Sequence, residues 1–458
     1  MDRRHFLKLS ALGATGLMAG GISWGQPSGK KPNIIFILAD DLGYGDLGCF
    51  GQKHIQTPVL DALCKNGLKM TSHYSGSTVC APARNTLMSG QHIGNRDTIG
   101  QRPEFKEGEQ TLGTVMQSAG YRTGVIGKWG LGKNTGHPNK QGFDHWFGFL
   151  DQGRAHFYYP DYIWRNTEKV DLSDNPKTHE HYIHDMFTEE ALRFIDESAD
   201  QPFFLYLPYT IPHAEVLVPE DSQAPYVDKL GDPERGPIEE PYRLKGYNKP
   251  RYPRAARAGQ ISRMDRDIGR IQKLLEEKGV SENTLVIFTS DNGPCQAGGQ
   301  DIQFFDSAGP LRGLKRSLYE GGIRVPTIAY WPGKIKAGRE SDQASVFYDW
   351  MPTFAHLGGA TLKDPTDGVS LVPTLMGKPD QQKQHDYIYW EFGNKAKHVA
   401  AVRKGKWKLV AYLGSDPVKK ELYDLSVDLK EQNDLAEQHS EIVKELFAIA
   451  EKFARDEV

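Results

Sequence analysis

The sequence predicts an α/β fold, with a smaller C-terminal subdomain built from an antiparallel sheet plus a helix. Three observations predict it. Apolar runs at Lys31–Ala39, Pro202–Leu207 and Asn283–Ser290 read as buried strands, because each is a near-continuous hydrophobic run. Helix-period segments lie between them. From about residue 360 the pattern changes to short alternating strands with turns. The boundaries this reading sets are 1–28 for an export signal, 29–360 for a catalytic domain and 361–458 for the C-terminal subdomain.

Met1-Asp2-Arg3-Arg4-His5-Phe6-Leu7-Lys8 leads into a Gly/Ala-rich, mildly apolar run that ends near Ser23. Paired arginines before a short, weak apolar region have the form of a twin-arginine export signal. The expected location is periplasmic or extracellular, reached through the twin-arginine machinery. That run is too short and too glycine-rich for a transmembrane span, and no other stretch approaches one.

The first strand ends in Asp40-Asp41. Open α/β sheets bind ligands at the C-terminal ends of their strands. Two adjacent acids there repel each other unless a cation compensates. Thr57–Cys64 reads as a short helix closed by Asn66-Gly67. Cys80 precedes Pro82, which suits a first helical turn, and the run can stay helical until Gly90. That places Cys80 at a helix N-terminus, where N–H groups and the helix dipole favour anions. Arg84 lies one turn on. A small buried hydrophobe is the other reading of Cys80.

Thr111–Ala119 reads as a helix, and Tyr121–Lys128 as a strand whose final lysine falls on the same sheet edge as Asp40. Residues 133–182 read as loops, the usual place for specificity. Asp185–Ser198 reads as an amphipathic helix, and His213 lies just beyond the second strand. His213 is either a satisfied loop histidine or a general acid. Residues 217–253 read as a Pro-rich surface excursion, and Ala256–Lys278 as a long helix. The third strand ends in Asp291-Asn292. With Asp40 and Asp41 these supply only oxygens, which suits Ca²⁺, with Mg²⁺ possible, rather than zinc. A basic loop, Arg312–Arg316, precedes a strand at Thr327–Trp331. Tyr387–Trp390, Val399–Val402 and Trp407–Tyr412 read as strands with a hairpin at Lys404-Gly405, and Ser440–Arg455 as a final helix.

In 458 residues Lys+Arg number 56 and Asp+Glu 59, so the net charge of −3 gives no general field for nucleic acid. The four cysteines are Cys49, Cys64, Cys80 and Cys295, too few for a disulfide scaffold.

Cys80-Ala81-Pro82-Ala83-Arg84, followed by a segment running to Gly90, resembles the sulfatase signature. The likeness extends from Pro32 to Leu435 and includes Gly127-Lys128-Trp129, Tyr209–His213, Ser290–Gly293 and Arg312–Pro326. The resemblance implies an alkaline-phosphatase-like mixed central sheet between helices. It implies a sulfuric ester hydrolase whose Cys80 is oxidised to formylglycine by a separate maturation enzyme. The hydrated aldehyde attacks sulfur, the alcohol leaves, and the second hydroxyl then expels sulfate. The resemblance further assigns Asp40, Asp41, Asp291, Asn292 and residue 80 to Ca²⁺. It gives Arg84 the task of holding the nucleophile, Lys128 and Lys315 that of binding sulfate, and His213 that of protonating or positioning the leaving oxygen.

One position departs from the pattern. Many sulfatases carry histidine two residues after the Lys128 position, and here that residue is Gly130. Another histidine, His156 or His137, is expected to fill the space; the alternative is a branch of the family that works without it. Arg154, His156 and Trp164 lie in stretches that mix aromatics with hydrogen-bonding groups, as sugar sites do, and a sulfated carbohydrate is the expected substrate. A phosphate or phosphonate ester hydrolase with the same nucleophile, and a non-catalytic glycan-binding relative, are the alternatives.

Overall fold

The structure, a computed structural model, describes residues 30–96, 104–232, 247–248 and 250–454. The expected export signal lies outside them. The strands are β1 (Asn33–Ala39), β2 (Leu68–Met70), β3 (His73–Tyr74), β4 (Arg122–Lys128), β5 (His145–Phe149), β6 (Tyr162–Arg165), β7 (Glu168–Asp171), β8 (Phe203–Pro208), β9 (Thr284–Ser290), β10 (Thr327–Tyr330), β11 (Arg339–Ser341), β12 (Ser345–Val346), β13 (Ile388–Phe392), β14 (Val399–Lys404), β15 (Trp407–Tyr412) and β16 (Lys419–Asp424).

The central sheet runs in the order β11-β2-β10-β9-β1-β8-β4-β5-β6-β7. Its middle, β9-β1-β8-β4-β5, is parallel. β10 joins β9 and β6 joins β5 antiparallel, so the sheet is mixed. Every residue of β1, β8 and β9 is buried, as their uninterrupted apolar runs require. One face of β1 packs Ile35 and Ile37 towards the helices Ile183–Ser198 and Pro253–Glu277. The other packs Ile34, Phe36 and Leu38 towards Cys80–Ser89, Leu112–Ser118 and Trp350–Gly358.

β13 to β16 form an antiparallel four-stranded sheet in sequence order. The helix Ser440–Phe453 covers one face through Leu446 and Ala450. The other face buries Trp390, Ala401, Val410 and Tyr423 against Tyr74, Val346 and Tyr348 of the main body.

Several sequence expectations need correction. Residues 133–182 are not loops throughout, since β5, β6 and β7 extend the central sheet there. These strands are only four or five residues long, and the turn-forming residues around them mask their alternation. The stretch 217–253 contains a helix at Glu220–Val227, and Leu217, Tyr226 and Leu230 are buried, so it is no plain surface excursion. The helix Trp350–Gly358 and strand β16 also went unpredicted.

Candidate active site

Parallel pairing in register decides where the chemistry collects. Ala39 lies opposite Ser290 at the ends of β1 and β9. Asp40 and Asp41 therefore leave one strand beside Asp291 and Asn292 leaving the other. The Asp291 N–H donates to the Ala39 carbonyl at 3.1 Å, and the Asp41 N–H to Asp291 Oδ1 at 3.1 Å. Asp41 turns the chain with φ of +62°, a left-handed conformation that Asp visits more readily than most residues. Lys128 closes β4, and His213 lies just beyond β8.

The helix Cys80–Ser89 begins on Cys80, with Pro82 in its first turn and Gly90 closing it at φ +68°. Its N-cap, Val79, offers no side-chain acceptor. Cys80 Sγ lies 3.2 Å from Asp40 Oδ1, 3.8 Å from Asp41 Oδ1 and 3.1 Å from Lys315 Nζ. One turn on, Arg84 donates from Nε and Nη2 to Asp291 Oδ2 at 3.1 and 2.8 Å, and from Nη1 to the Lys128 carbonyl at 2.7 Å. Lys128 Nζ donates to Asp40 Oδ2 and Lys315 Nζ to Asp41 Oδ1, each at 2.6 Å. His213 Nδ1 donates to the Ala214 carbonyl, which leaves Nε2 facing Asp41 Oδ2 at 3.3 Å.

These groups set one another's charge. Burial opposes ionisation of Asp40, but Lys128, His213, Arg84 and Lys315 outweigh it and hold its carboxyl well below the usual range. Asp41 is held down against the same burial, chiefly by Lys315 and His213. Asp291 is pushed up to about 6 by burial and by Asp40, despite Arg84. Burial pushes the Cys80 thiol well above its ordinary value, and Asp291 and Asp40 add to it. Burial lowers His213 to about 4, although Asp41 draws it back.

The donor set fits a hard cation. Ligand atoms of Asp40, Asp41, Cys80 and His213 all lie within 4.8 Å of one another. Asp41 Oδ2 and Asn292 Oδ1 are buried and accept no hydrogen bond. Asn292 Nδ2 donates to Asp41 Oδ1 at 2.7 Å, which fixes the amide with its oxygen unspent. Two orphaned oxygens among carboxylates suit a cation that takes oxygen ligands. Cys80, Lys128, His156, His213 and Lys315 line a cavity of about 710 Å³.

The sulfatase family model matches residues 32–360, most of the chain. The chain belongs to the sulfatase family. It is a sulfuric ester hydrolase of the alkaline-phosphatase-like superfamily. A second model, for the C-terminal region of N-sulphoglucosamine sulphohydrolase, matches residues 313–455. N-acetylgalactosamine-6-sulfatase of Canis lupus familiaris is 34% identical over 409 residues, covering 81% of this chain and 69% of the relative. N-acetylgalactosamine-6-O-sulfatase of Bacteroides thetaiotaomicron is 30% identical over 516 residues, covering 93% and 94%. The structure of Ps i-CgsB in complex with k-i-k-neocarrahexaose superposes with a TM-score of 0.78 at 27% identity, covering 94% of each chain.

Not every residue singled out in the sequence reaches the sulfatase cavity. His156 does, stacked on His213 with ring centroids 4.1 Å apart. Arg154 does not line it; its guanidinium pairs with Asp161 and sits 3.8 Å from the Tyr162 ring centroid. Trp164 does not line it either; it packs beside the core from β6. His137 accepts the Asn139 N–H within a 3-10 turn, away from the cavity lining. Neither His137 nor His156 fills the space beside Gly130. A Cβ built there would meet Gln152 Nε2 at 2.0 Å, so Gln152 occupies that volume. Sequence reasoning missed Gln152, because a glutamine in a Gly-rich loop carries no pattern. It also missed the wall formed by Phe392, Gly393, Asn394 and Lys397 at the end of β13.

Proposed function

We propose that this sulfatase removes sulfate from a sulfated carbohydrate in an exported compartment, with residue 80 converted to formylglycine and Ca²⁺ at the acidic cluster. The observation that carries the reading is Cys80 itself. It opens a helix on the cavity lining, between two carboxylates and the Lys315 ammonium. The N-acetylgalactosamine-6-sulfatases among the relatives and the neocarrahexaose held by a structural neighbour support a sugar substrate.

The chain's own residues supply binding and charge. A hydrated aldehyde at position 80 would supply an oxygen nucleophile that a thiol does not. Ca²⁺, held by Asp40, Asp41, Asp291, Asn292 and residue 80, would supply fixed positive charge beside the sulfate. Lys128 and Lys315 line the cavity, each held at 2.6 Å from a carboxylate of the cluster, and in this reading their ammonium groups would neutralise sulfate oxygens. Arg84 braces Asp291 and the end of β4, keeping both beside residue 80. His213 is oriented by Ala214 and lines the cavity, and in this reading it protonates or positions the leaving oxygen. Arg316 and Lys397 are exposed on the cavity lining, and an anionic sugar meets them on entry.

The test is the mass of the peptide containing residue 80, from protein made beside a maturation enzyme and a control sulfatase. The expected result is an aldehyde there, followed by sulfate release from members of a sulfated-sugar panel and loss of activity on calcium chelation. An unmodified thiol with the control converted would overturn the nucleophile. Turnover of phosphate or phosphonate esters in preference to sulfates would overturn the substrate class.

A further inference from the structure

We propose that the carboxamide of Gln152 donates a hydrogen bond to the sulfate group bound in the cavity. The inference rests on the sulfate-ester reading above and assigns a further residue to it. Gly130, two positions after Lys128, has φ of +70°, a conformation that side chains resist. A Cβ there would strike Gln152 Nε2 at 2.0 Å and Cδ at 2.6 Å. Glycine at 130 and the amide from 152 are therefore two halves of one arrangement. The first clears the volume that the second fills.

Gln152 lines the cavity with Cys80, Lys128 and Lys315. Its Nε2 is shut away from solvent and finds no acceptor among the described residues. A buried N–H left without a partner marks a place where a ligand completes the structure. The acceptor it lacks is anionic, because the lysines that share the cavity favour an anion. The loop is braced on both sides of Gln152. Asp151 Oδ1 accepts the N–H groups of Gly153 at 2.7 Å and Arg154 at 3.3 Å, while Oδ2 pairs with Lys133 at 2.8 Å. A braced loop presents its donor in one place, as transition-state binding requires. The amide does not titrate, so its hydrogen bond to sulfate is the same at every pH the enzyme meets.

The experiment measures binding of inorganic sulfate by calorimetry, and kcat and KM on an active sulfated sugar, for the wild type, Gln152→Ala, Gln152→Glu and Gly130→Ala. Gln152→Ala is expected to weaken sulfate binding about tenfold and lower kcat about 10²-fold, with an unchanged thermal midpoint. Gln152→Glu places a carboxylate in the same volume. Its sulfate affinity is expected to rise towards the wild-type value as pH falls, because the protonated carboxyl donates where the ionised one repels. Cys80, Lys128, His156, His213, Tyr247, Lys315 and Glu391 line the same cavity, as do the exposed Arg316 and Lys397. All are retained in each variant, so the difference between variant and wild-type profiles belongs to position 152. Gly130→Ala displaces the amide while keeping Gln152, and is expected to match the loss in Gln152→Ala without adding to it in the double variant. Sulfate affinity of Gln152→Ala within twofold of the wild type, or a Gln152→Glu profile parallel to it, would overturn the proposal. Sulfate binding is read without turnover, so a wild type inactive on every sugar would sink the substrate reading and still leave Gln152 tested.

Discussion

Asp40 shows how much of this site is decided by single side chains. Alone and fully buried, its carboxylate would be neutral at physiological pH. Lys128 at 2.6 Å and Arg84 at 3.3 Å keep it charged. Arg84 is the more constrained of these cations, with no exposure and three of its nitrogens engaged. Arg84→Met would remove the cation in direct contact with the buried Asp291 and both hydrogen bonds it donates there. It is expected to cost about 3–5 kcal/mol of stability, read as a lower urea midpoint with an unchanged slope. Asp40, Asp41, Lys128 and Asp291 stood out in the sequence because each ends or follows an apolar strand, whereas Lys315, in a loop, was singled out only by the family resemblance. Gln152 was not legible. Its role comes from an absence at Gly130 and from a loop that folds back 22 positions later, and neither leaves a periodic trace.

At the scale of elements, the parallel centre of the sheet was readable and its edges were not. β1, β8 and β9 are uninterrupted apolar runs. β5 and β6 are short and partly exposed, and they are held by polar side chains as much as by pattern. Glu190, on the helix Ile183–Ser198, makes the tie. Its carboxylate meets His145 of β5 at 2.8 Å and Arg165 of β6 at 2.9 Å. Burial alone would raise the Glu190 carboxyl, but His145 and Arg165 reverse this and draw it down to about 2. A depressed carboxylate contributes stability above its unfolded value of 4.5 and loses it as pH falls towards 2. Glu190→Gln is expected to cost about 1–3 kcal/mol at pH 7. The difference from wild type should shrink below about pH 4, as thermal midpoints across pH 3–8 would show. A difference that stays constant across that range would show that the tie is not electrostatic.

At the scale of the whole molecule, the C-terminal sheet is part of the catalytic cavity and not an appendage. Phe392 to Asn394, at the end of β13, line the cavity beside Cys80. The sheet is locked to the main body by a buried charge cluster, in which Lys408 of β15 reaches Glu320 and Glu431 at 2.8 Å each, with no exposure of any of the three. Lys408→Met would leave the buried Glu431 without its ion pair and Glu320 paired only with Arg324 among the described residues, and is expected to cost about 3–5 kcal/mol in calorimetric unfolding. Local pattern pointed to β13, β14 and β15 but neither to β16 nor to the sheet's place against the cavity, because contacts between distant segments are not encoded in local pattern.

The register of β1 and β9 also sets a clock. Asp41 and Asp291 share a hydrogen bond across 250 positions. At about 5–20 residues per second of synthesis, roughly 10–50 s separate the emergence of the first from that of the second. Until β9 arrives, the acidic pair has no Asp291 beside it, and Arg84 lacks its main partner. The helix that carries Cys80 has no finished floor to settle on. For that interval the thiol is more exposed than the 7% it keeps on the cavity lining of the folded chain.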